Sequence, residues 1–357
     1  MPPPFPMRLE GALILLGEDP KRLAGEPNFS TEPDWRLADP RAIRIALARA
    51  SAKPSGGWVV LDASRHLKEA GGPRKYEVAG REWVAWWTPR GPRAAPDACP
   101  HMGASLSTGR VDAQGQLVCP WHGMRLCDAK HGGWAPLRTH DDGVLTWIRL
   151  GSMLHPGETP TEAPFLPHRP ARFLDAVVRC ELRCEPEDVI ANRLDPWHGA
   201  HFHPHSFARL RVVTQDDESI TVRVVYRILG RIGMEVDARF HCPDPRTIVM
   251  SIVAGEGVGS VVETHATPVG VGRTAMLEAT LATSSRPSMA WLPRATFLRG
   301  MVHARAARLW KDDAEYCERT YALRSRKPHA RNEPTRRDRP HGLSTHVPSV
   351  EELVGRE

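Results

Sequence analysis

Short stretches of alternating hydrophobic and polar residues make up the chain between residues 57 and 152. The β-type runs cover residues 58–61, 75–78, 83–87, 116–119 and 144–150, and Gly80 and Gly143 lie at turn-like points between them. Short runs of this kind, separated by turn residues, are typical of antiparallel strands. The pattern therefore predicts a small all-β domain over residues 57–152.

A second group of β-type runs follows, at residues 176–184, 220–228, 234–241, 247–253, 261–267 and 275–282. The alternation in residues 221–226 favours a sheet with one solvated face. Residues 185–205 have an interrupted helical pattern, and residues 293–324 form a long helical stretch rich in Ala, Leu, Arg and Met. An antiparallel sheet covered by a long C-terminal helix predicts an α+β domain over residues 172–325.

Three segments lie outside these two domains. Residues 1–56 are proline-rich apart from a short helical candidate at 40–52, which indicates an N-terminal arm. Residues 153–171 are again rich in proline and have little periodicity, as expected of a linker. In the last segment, residues 326–357, the stretch up to Arg339 carries six basic residues against only Glu333 and Asp338, which predicts a basic, disordered tail.

Composition narrows the classes of function. The formal net charge is +6, but much of the excess lies after residue 323, so a nucleic-acid partner is not expected. The longest apolar run near the start, residues 12–17, is too short to span a membrane and makes a poor signal peptide. Seven cysteines without a regular framework favour a reducing compartment. We therefore expect a cytoplasmic protein without a transmembrane segment.

Cysteine and histidine alternate in a first candidate metal site. The set is Cys99-x-His101 and Cys119-x-x-His122, with 17 residues between the two halves. Two thiolates can hold one iron of a [2Fe–2S] cluster while two imidazoles hold the other. A zinc site is the alternative, but zinc fingers pair cysteine with cysteine and histidine with histidine. Gly103 and Gly123 come within two residues after the two histidines and would let the backbone approach the cluster.

These two motifs carry a resemblance to a known family. Cys99-Pro-His-Met-Gly-Ala and Cys119-Pro-Trp-His-Gly-Met resemble the two cluster loops of Rieske proteins. Respiratory Rieske proteins usually place a further cysteine in each loop, where this chain has Ala104 and Trp121. The loops are therefore similar to the oxygenase and ferredoxin branch, although Met124 stands where the oxygenases mostly have an aromatic residue.

A second motif extends the resemblance to Rieske non-heme iron oxygenases. Asp195-x2-His198-x4-His203, with Asn192 three residues earlier, is similar to their mononuclear iron motif. The resemblance implies that His198 and His203 are iron ligands. It also implies a broken helix, because positions five apart do not share one face of a regular helix. His201 and His205 fit a regular helical pair instead, and their role stays open.

The carboxylate ligand is expected from the last helix. The stretch around Asp312 and Asp313 resembles a pattern in steroid-active Rieske monooxygenases, with Tyr316, Arg319 and Tyr321 in the aromatic, basic and tyrosine places. That register favours Asp312 and leaves Asp313 as the alternative. By the same resemblance Asp195 would bridge the two centres, hydrogen-bonding His198 on one side and His122 of a second copy on the other.

The resemblance implies an N-terminal Rieske domain followed by a helix-grip catalytic domain, in a homotrimer. The enzyme would use O2, a [2Fe–2S] cluster and a mononuclear Fe(II) to hydroxylate, desaturate or demethylate a bulky apolar substrate such as an isoprenoid, sterol or carotenoid. Gly255-x-Gly257-x-Gly259 has the wrong spacing for a dinucleotide site, so electrons from NAD(P)H would come through a ferredoxin, a flavin reductase or both. The alternative function is electron transfer without a working mononuclear site.

Four hydrophobic residues of the second domain have two interpretations, as the lining of a substrate pocket or as sheet core. Phe202, Met234, Phe240 and Met250 are candidates for an apolar pocket, and each is equally consistent with sheet core. For any one of them the sheet core is the more common case.

Overall fold

The computed structural model describes residues 7–10, 13–15, 34–154, 157–229, 232–284 and 296–325. The predicted tail over residues 326–357 lies outside these ranges, as does the predicted start of the last helix at residue 293. Residues Met1–Ala322 belong to one compact unit, and beyond it only the end of the last helix, to Ser325, is described. None of the described helices is long and apolar enough to cross a membrane.

The first domain consists of three small antiparallel sheets, each with three strands. Strand order is β10–β11–β3, β4–β5–β6 and β7–β8–β9. The bounds are β3 (Trp58–Ala63), β4 (Arg74–Val78), β5 (Arg81–Thr88), β6 (Gly91–Pro96), β7 (Arg110–Val111), β8 (Leu117–Val118), β9 (Arg125–Leu126), β10 (Thr139–Asp141) and β11 (Leu145–Arg149).

Helix α3 (Ser64–Glu69) and strands β6, β7, β9 and β10 of this domain were not predicted from the sequence. Helix α3 directly follows β3, and β6 has the sequence Gly-Pro-Arg-Ala-Ala-Pro, which as a sequence is typical of a turn. Pairing with β5 from Trp83↔Pro96 to Thr88↔Gly91 makes it a strand. The neighbouring strand therefore overrides the local preference.

The second domain is built on a nine-stranded antiparallel sheet. The main order is β13–β14–β15–β16–β17–β18–β12, and the short β1–β2 hairpin pairs with the start of β15. The strands are β1 (Met7–Glu10), β2 (Leu13–Leu15), β12 (Leu174–Leu182), β13 (Phe207–Gln215), β14 (Ser219–Leu229), β15 (Ile232–Asp244), β16 (Thr247–Gly255), β17 (Val261–Gly270) and β18 (Arg273–Ala282). Strands β1, β2 and β13 were not predicted.

Helices cover one face of this sheet. They are α1 (Asp34–Leu37), α2 (Pro40–Ser51), α4 (Pro186–Arg193), α5 (His198–Phe202) and the 30-residue α6 (Thr296–Ser325). Trp310 and Cys317 of α6 are buried in one apolar cluster with Met276 of β18 and Ile190 of α4. The fold class predicted from the sequence, an all-β domain followed by an antiparallel sheet with a long C-terminal helix, is confirmed.

Strand β18 is buried on both faces, because the helices cover one face and the first domain covers the other. Its residues Ala275, Leu277, Ala279 and Leu281 pack with Trp58, Val60 and Trp147 of the first domain, whereas Met276 lies in the helix-side cluster. Alternate side chains of a strand point to opposite faces, so each face of β18 contributes to a different core.

Candidate metal centres

The two cysteine–histidine loops have the same backbone geometry. In the first loop the Gly103 amide donates to the Cys99 carbonyl (2.8 Å) and the Cys99 amide to the Ala104 carbonyl (2.8 Å). In the second loop the matching bonds join Gly123 to Cys119 (3.1 Å) and Cys119 to Met124 (2.9 Å). Both glycines have positive φ angles, +79° and +72°, which an L-residue adopts only with strain. The backbone conformation therefore favours glycine at both loop tips.

The four side chains face one another across the loops, thiol to thiol and imidazole to imidazole. Cys99 and Cys119 are buried and interact with each other, while His101 and His122 are exposed, with their Nδ1 atoms 3.2 Å apart. Burial opposes ionisation of Cys119, but amide hydrogen bonds from Trp121 and His122 hold its pKa below the ordinary value. Two thiols on one side and two imidazole nitrogens on the other fit a [2Fe–2S] cluster in which the cysteines would hold one iron and the histidines the other.

The second site is built where the helical segment after β12 is interrupted. Helix α4 begins in a capping box, in which the Glu185 amide donates to Asp188 Oδ2 (3.0 Å), and ends at Arg193. Helix α5 contains only five residues. His203, its C-cap, has a φ of −118° and a ψ of 54°, which are not helical. This break lets His198 and His203 converge, with ring centroids 5.4 Å apart.

Asp313 of α6 completes a group of three metal-ligating side chains. Its Oδ1 atom lies 2.9 Å from His203 Nε2 and 3.3 Å from His198 Nε2, and the ligand atoms of the three residues lie within 4.8 Å of one another. Asp313 and His203 are buried. Burial opposes ionisation of Asp313, yet the hydrogen bonds to both histidines hold its pKa well below the usual range. Two imidazoles and one carboxylate fit a mononuclear iron with open coordination positions.

Asp312, the carboxylate favoured by the sequence register, faces a different direction. Its Oδ2 atom lies 3.4 Å from His203 Nδ1 and 3.9 Å from His205 Nδ1, and its side chain is 34% exposed, against 2% for Asp313. Asp312 thus contacts the far side of the His203 ring. The geometry favours Asp313 as the ligand and places Asp312 and His205 behind His203.

Asn192 lies in the last turn of α4, and Asp195 lies in the segment between α4 and α5. The Asn192 amide donates to Asp313 Oδ1 (3.0 Å). His198 Nδ1 lies 2.5 Å from the Asp195 backbone carbonyl but 3.9 Å from its carboxylate Oδ2, which instead accepts a hydrogen bond from Tyr316 (3.1 Å). The expected carboxylate–His198 bond is therefore replaced by a carbonyl–His198 bond. Asp195 Oδ1 is buried and has no hydrogen-bond partner among the described residues.

Some site residues could not be recognised from the sequence. Tyr316 fits the helix motif, but nothing in the motif indicates its bond to Asp195. Arg193 pairs with the buried Glu278, stacks over Trp310 at 5.1 Å and lies close enough to lower the pKa of Asp313. Of the candidate pocket residues, Met234, Phe240 and Met250 pack on the sheet core, and Phe202 lies against the His203 ring at 5.1 Å.

Two protein families match parts of the chain. Residues 57–141 match the Rieske [2Fe–2S] domain, and residues 155–328 match a domain of unknown function, DUF5914. The first match covers the domain that contains the four cluster ligands predicted from the sequence. The second covers the helix-covered sheet.

Curated relatives are oxygenases and a desaturase. The chain is 36% identical over 79 residues to the 3-chlorobenzoate-3,4-dioxygenase oxygenase subunit of Comamonas testosteroni, covering 20% of this chain and 18% of that protein. It is 26% identical over 179 residues to cholesterol 7-desaturase nvd 1 of Ciona intestinalis, covering 44% and 37%. The chain therefore aligns with well under half the length of these relatives.

Solved structures share the fold over most of the chain. Dicamba monooxygenase bound to dicamba has a TM-score of 0.57 at 18% identity, covering 76% of this chain and 88% of that one. NdmB of Pseudomonas putida CBB5 has a TM-score of 0.52 at 18% identity, covering 76% and 82%. A Rieske domain joined to this sheet-and-helix domain defines a Rieske-type iron protein. The chain therefore contains a Rieske [2Fe–2S] domain, is homologous to Rieske oxygenases over part of its length, and shares the fold of dicamba monooxygenase over most of it.

Proposed function

We propose that this chain is the catalytic subunit of an oxygenase that inserts oxygen into, desaturates or demethylates a bulky apolar substrate. The observation that carries the proposal is the convergence of His198, His203 and Asp313 at the break between α4 and α5. A Rieske electron carrier would need only the cluster domain, whereas this chain also has a buried two-histidine, one-carboxylate group.

Each site has residues suited to one cofactor. Cys99, His101, Cys119 and His122 would hold the [2Fe–2S] cluster. His198, His203 and Asp313 would hold the mononuclear iron, with Asp312 as the less favoured carboxylate. When bound, the cluster supplies single electrons and the iron supplies O2 activation.

The chain's own residues would position and isolate the reaction. The bond between His198 Nδ1 and the Asp195 carbonyl leaves Nε2 directed at Asp313, and Asn192 donates to the same carboxylate. These partners fix the orientation of the ligands before a metal binds. Because Asp313 and His203 are buried, water is excluded from the side of the iron site that they form.

The sheet core beneath α5, next to the proposed iron site, is apolar, and the proposal of an apolar substrate rests mainly on the relatives. Ala200 of α5 packs on Leu210 and the buried valines of β14, and Phe207, Tyr226 and Met250 pack against the same layer. The sterol substrate named for the Ciona relative, and the pheophorbide named for a relative 40% identical over 53 residues, belong to the same broad class of bulky apolar molecules.

The assembly and partners belong to the same proposal. Asp195 Oδ1 is buried without a partner among the described residues, and His122 is exposed on its own domain. In a homotrimer, His122 of a second copy would reach Asp195, so that the Oδ1 atom gains a hydrogen-bond partner and the exposed His122 becomes covered. Electrons would come from a ferredoxin or flavin reductase, in the cytoplasm.

The test is a metal count on protein purified anaerobically. Wild type should contain about three irons and two sulfides per chain, and His198→Ala should lose one iron while keeping the Rieske EPR signal. His201→Ala is the matched control, because His201 is an exposed histidine of the same helix and should keep all three irons. Two irons in wild type, even after reconstitution with Fe(II), would leave an electron carrier. Zinc without sulfide would contradict both sites.

Substrate class is then tested with loaded protein. Reductase-dependent O2 consumption in the presence of sterols and other isoprenoids should exceed the rate with small aromatic acids. Faster consumption with the aromatic acids, coupled to their oxidation, would refute the bulky apolar class while leaving the oxygenase proposal intact.

A further inference from the structure

Tyr316 contacts two parts of the second site at once. It lies on α6 three residues after Asp313, and its hydroxyl donates to Asp195 Oδ2 at 3.1 Å. Its ring packs against the His198 ring, with centroids 5.2 Å apart and planes tilted by 34°. The helix that supplies the carboxylate ligand therefore also supplies a residue that touches a histidine ligand and Asp195.

The Asp195 carboxylate depends on this tyrosine for its orientation. The backbone carbonyl of Asp195 binds His198, but the carboxylate itself is 3.9 Å from His198 Nδ1, which is too long for a hydrogen bond. Oδ2 is held by Tyr316, and Oδ1 has no partner among the described residues. Among the described contacts of the carboxylate, the Tyr316 hydroxyl alone is a hydrogen bond.

The hydroxyl of Tyr316 is the one group of its side chain that can form a hydrogen bond to a carboxylate. A neutral phenol donates one hydrogen bond, so it can hold one carboxylate oxygen and leave the other free. A phenylalanine would keep the ring contact with His198 and remove only this bond.

We infer that Tyr316 is a positioning residue for electron transfer between the two metal centres. It holds Oδ2 of Asp195 and leaves the buried Oδ1, which has no partner among the described residues, as the acceptor for a further donor. The inference rests on the proposed function, in which that donor is the imidazole of His122 from a second copy. Tyr316 acts through Asp195 and does not contact iron.

The experiment compares four variants of the full, iron-loaded protein, together with His198→Ala, which should lack the mononuclear iron. Tyr316→Phe, Asp195→Asn and the double variant test the pathway. Tyr76→Phe is the matched control, because Tyr76 is a buried tyrosine in the first domain that donates to Asp62 at 2.7 Å. The readouts are iron content, the EPR signal of ferrous protein treated with nitric oxide, and the rate at which O2 reoxidises the reduced cluster, with and without solubilised cholesterol.

Tyr316→Phe should keep its iron and its nitric oxide signal but reoxidise its cluster at least about tenfold more slowly, as for other residues that orient a metal ligand. Asp195→Asn should be slowed similarly, and the double variant no further, because both changes remove one pathway. Tyr76→Phe should match wild type. Wild-type reoxidation in Tyr316→Phe, or additive losses in the double variant, would overturn the inference alone. A rate that is unchanged in His198→Ala would overturn the proposed function, and the inference with it.

Discussion

At the scale of single residues, the two candidate carboxylate ligands differ by one position along α6. Successive residues of a helix point about 100° apart, so Asp312 and Asp313 approach His203 from different sides. Asp313 lies between His198 and His203, whereas Asp312 lies on the outer side of His203 beside His205. The motif register alone cannot separate two adjacent aspartates, but burial and distance do.

This assignment predicts different iron affinities for two isosteric variants. Asp313→Asn should lose the mononuclear iron, because it removes the ligand charge from a buried site. Asp312→Asn should keep the iron and weaken Fe(II) affinity by about tenfold at most, because it only loosens His203. Equilibrium dialysis against Fe(II) measures both. Retention of iron by Asp313→Asn together with its loss from Asp312→Asn would restore the ligand that the sequence register favours.

At the scale of elements, α6 is fixed in place largely by Trp310. The Trp310 side chain is 1% exposed, its indole donates to Glu278 Oε2 at 2.7 Å, and Arg193 lies over its ring. Asp313 follows three residues later on the same helix. Packing of Trp310 on β18 therefore sets where Asp313 lies along the helix axis and in which direction its side chain points.

Trp310→Ala should cost about 3–5 kcal/mol of stability through the cavity it leaves and the loss of the indole hydrogen bond to Glu278. Iron occupancy should fall with it, because α6 would no longer hold Asp313 at the histidines. Urea unfolding by circular dichroism and iron analysis measure the two effects. Met301→Ala, on the same helix but 49% exposed, should change stability by less than about 0.5 kcal/mol. Equal effects of the two substitutions would contradict this role of Trp310.

At the scale of the whole molecule, the predicted linker is part of the joint between the domains. Arg169 binds Asp142 of the first domain (2.8 Å) and Glu263 of β17 (2.5 Å), and all three side chains are nearly buried. Burial alone would raise the pKa of both carboxyls, but the guanidinium holds both below their ordinary values. The proline-rich pattern of residues 153–171 gives no indication of this contact.

Arg169→Ala should destabilise the protein by about 3–5 kcal/mol at pH 7, because two buried carboxylates lose their partner. The folded-state pKa values are depressed, so this stabilisation is complete above the unfolded pKa values near 4 and is lost as the pH falls through the folded ones. The difference from wild type should therefore shrink below about pH 4. Arg138→Ala, which breaks an exposed pair with Glu162, should have little effect. Urea unfolding at several pH values measures this, and a pH-independent difference would contradict it.

Most strands of the sheet and both metal motifs are determined by the sequence itself. Alternation with a period of two is a local property, and it marks β14 to β18 within a few residues of their observed bounds. The cluster ligands lie in two short loops whose glycines and hydrogen bonds are also local. Their spacing is therefore sufficient to recognise the class of cofactor.

Tertiary structure decided what depends on distant partners. Strand β6 exists only through pairing with β5, and β13 through pairing with β14. Asp313, rather than Asp312, lies between the two histidines because packing of Trp310 sets the rotation of α6. The bond between Tyr316 and Asp195 spans 121 residues of sequence. A motif fixes which residue types are present, but the direction of a side chain on a helix is fixed by what that helix packs against.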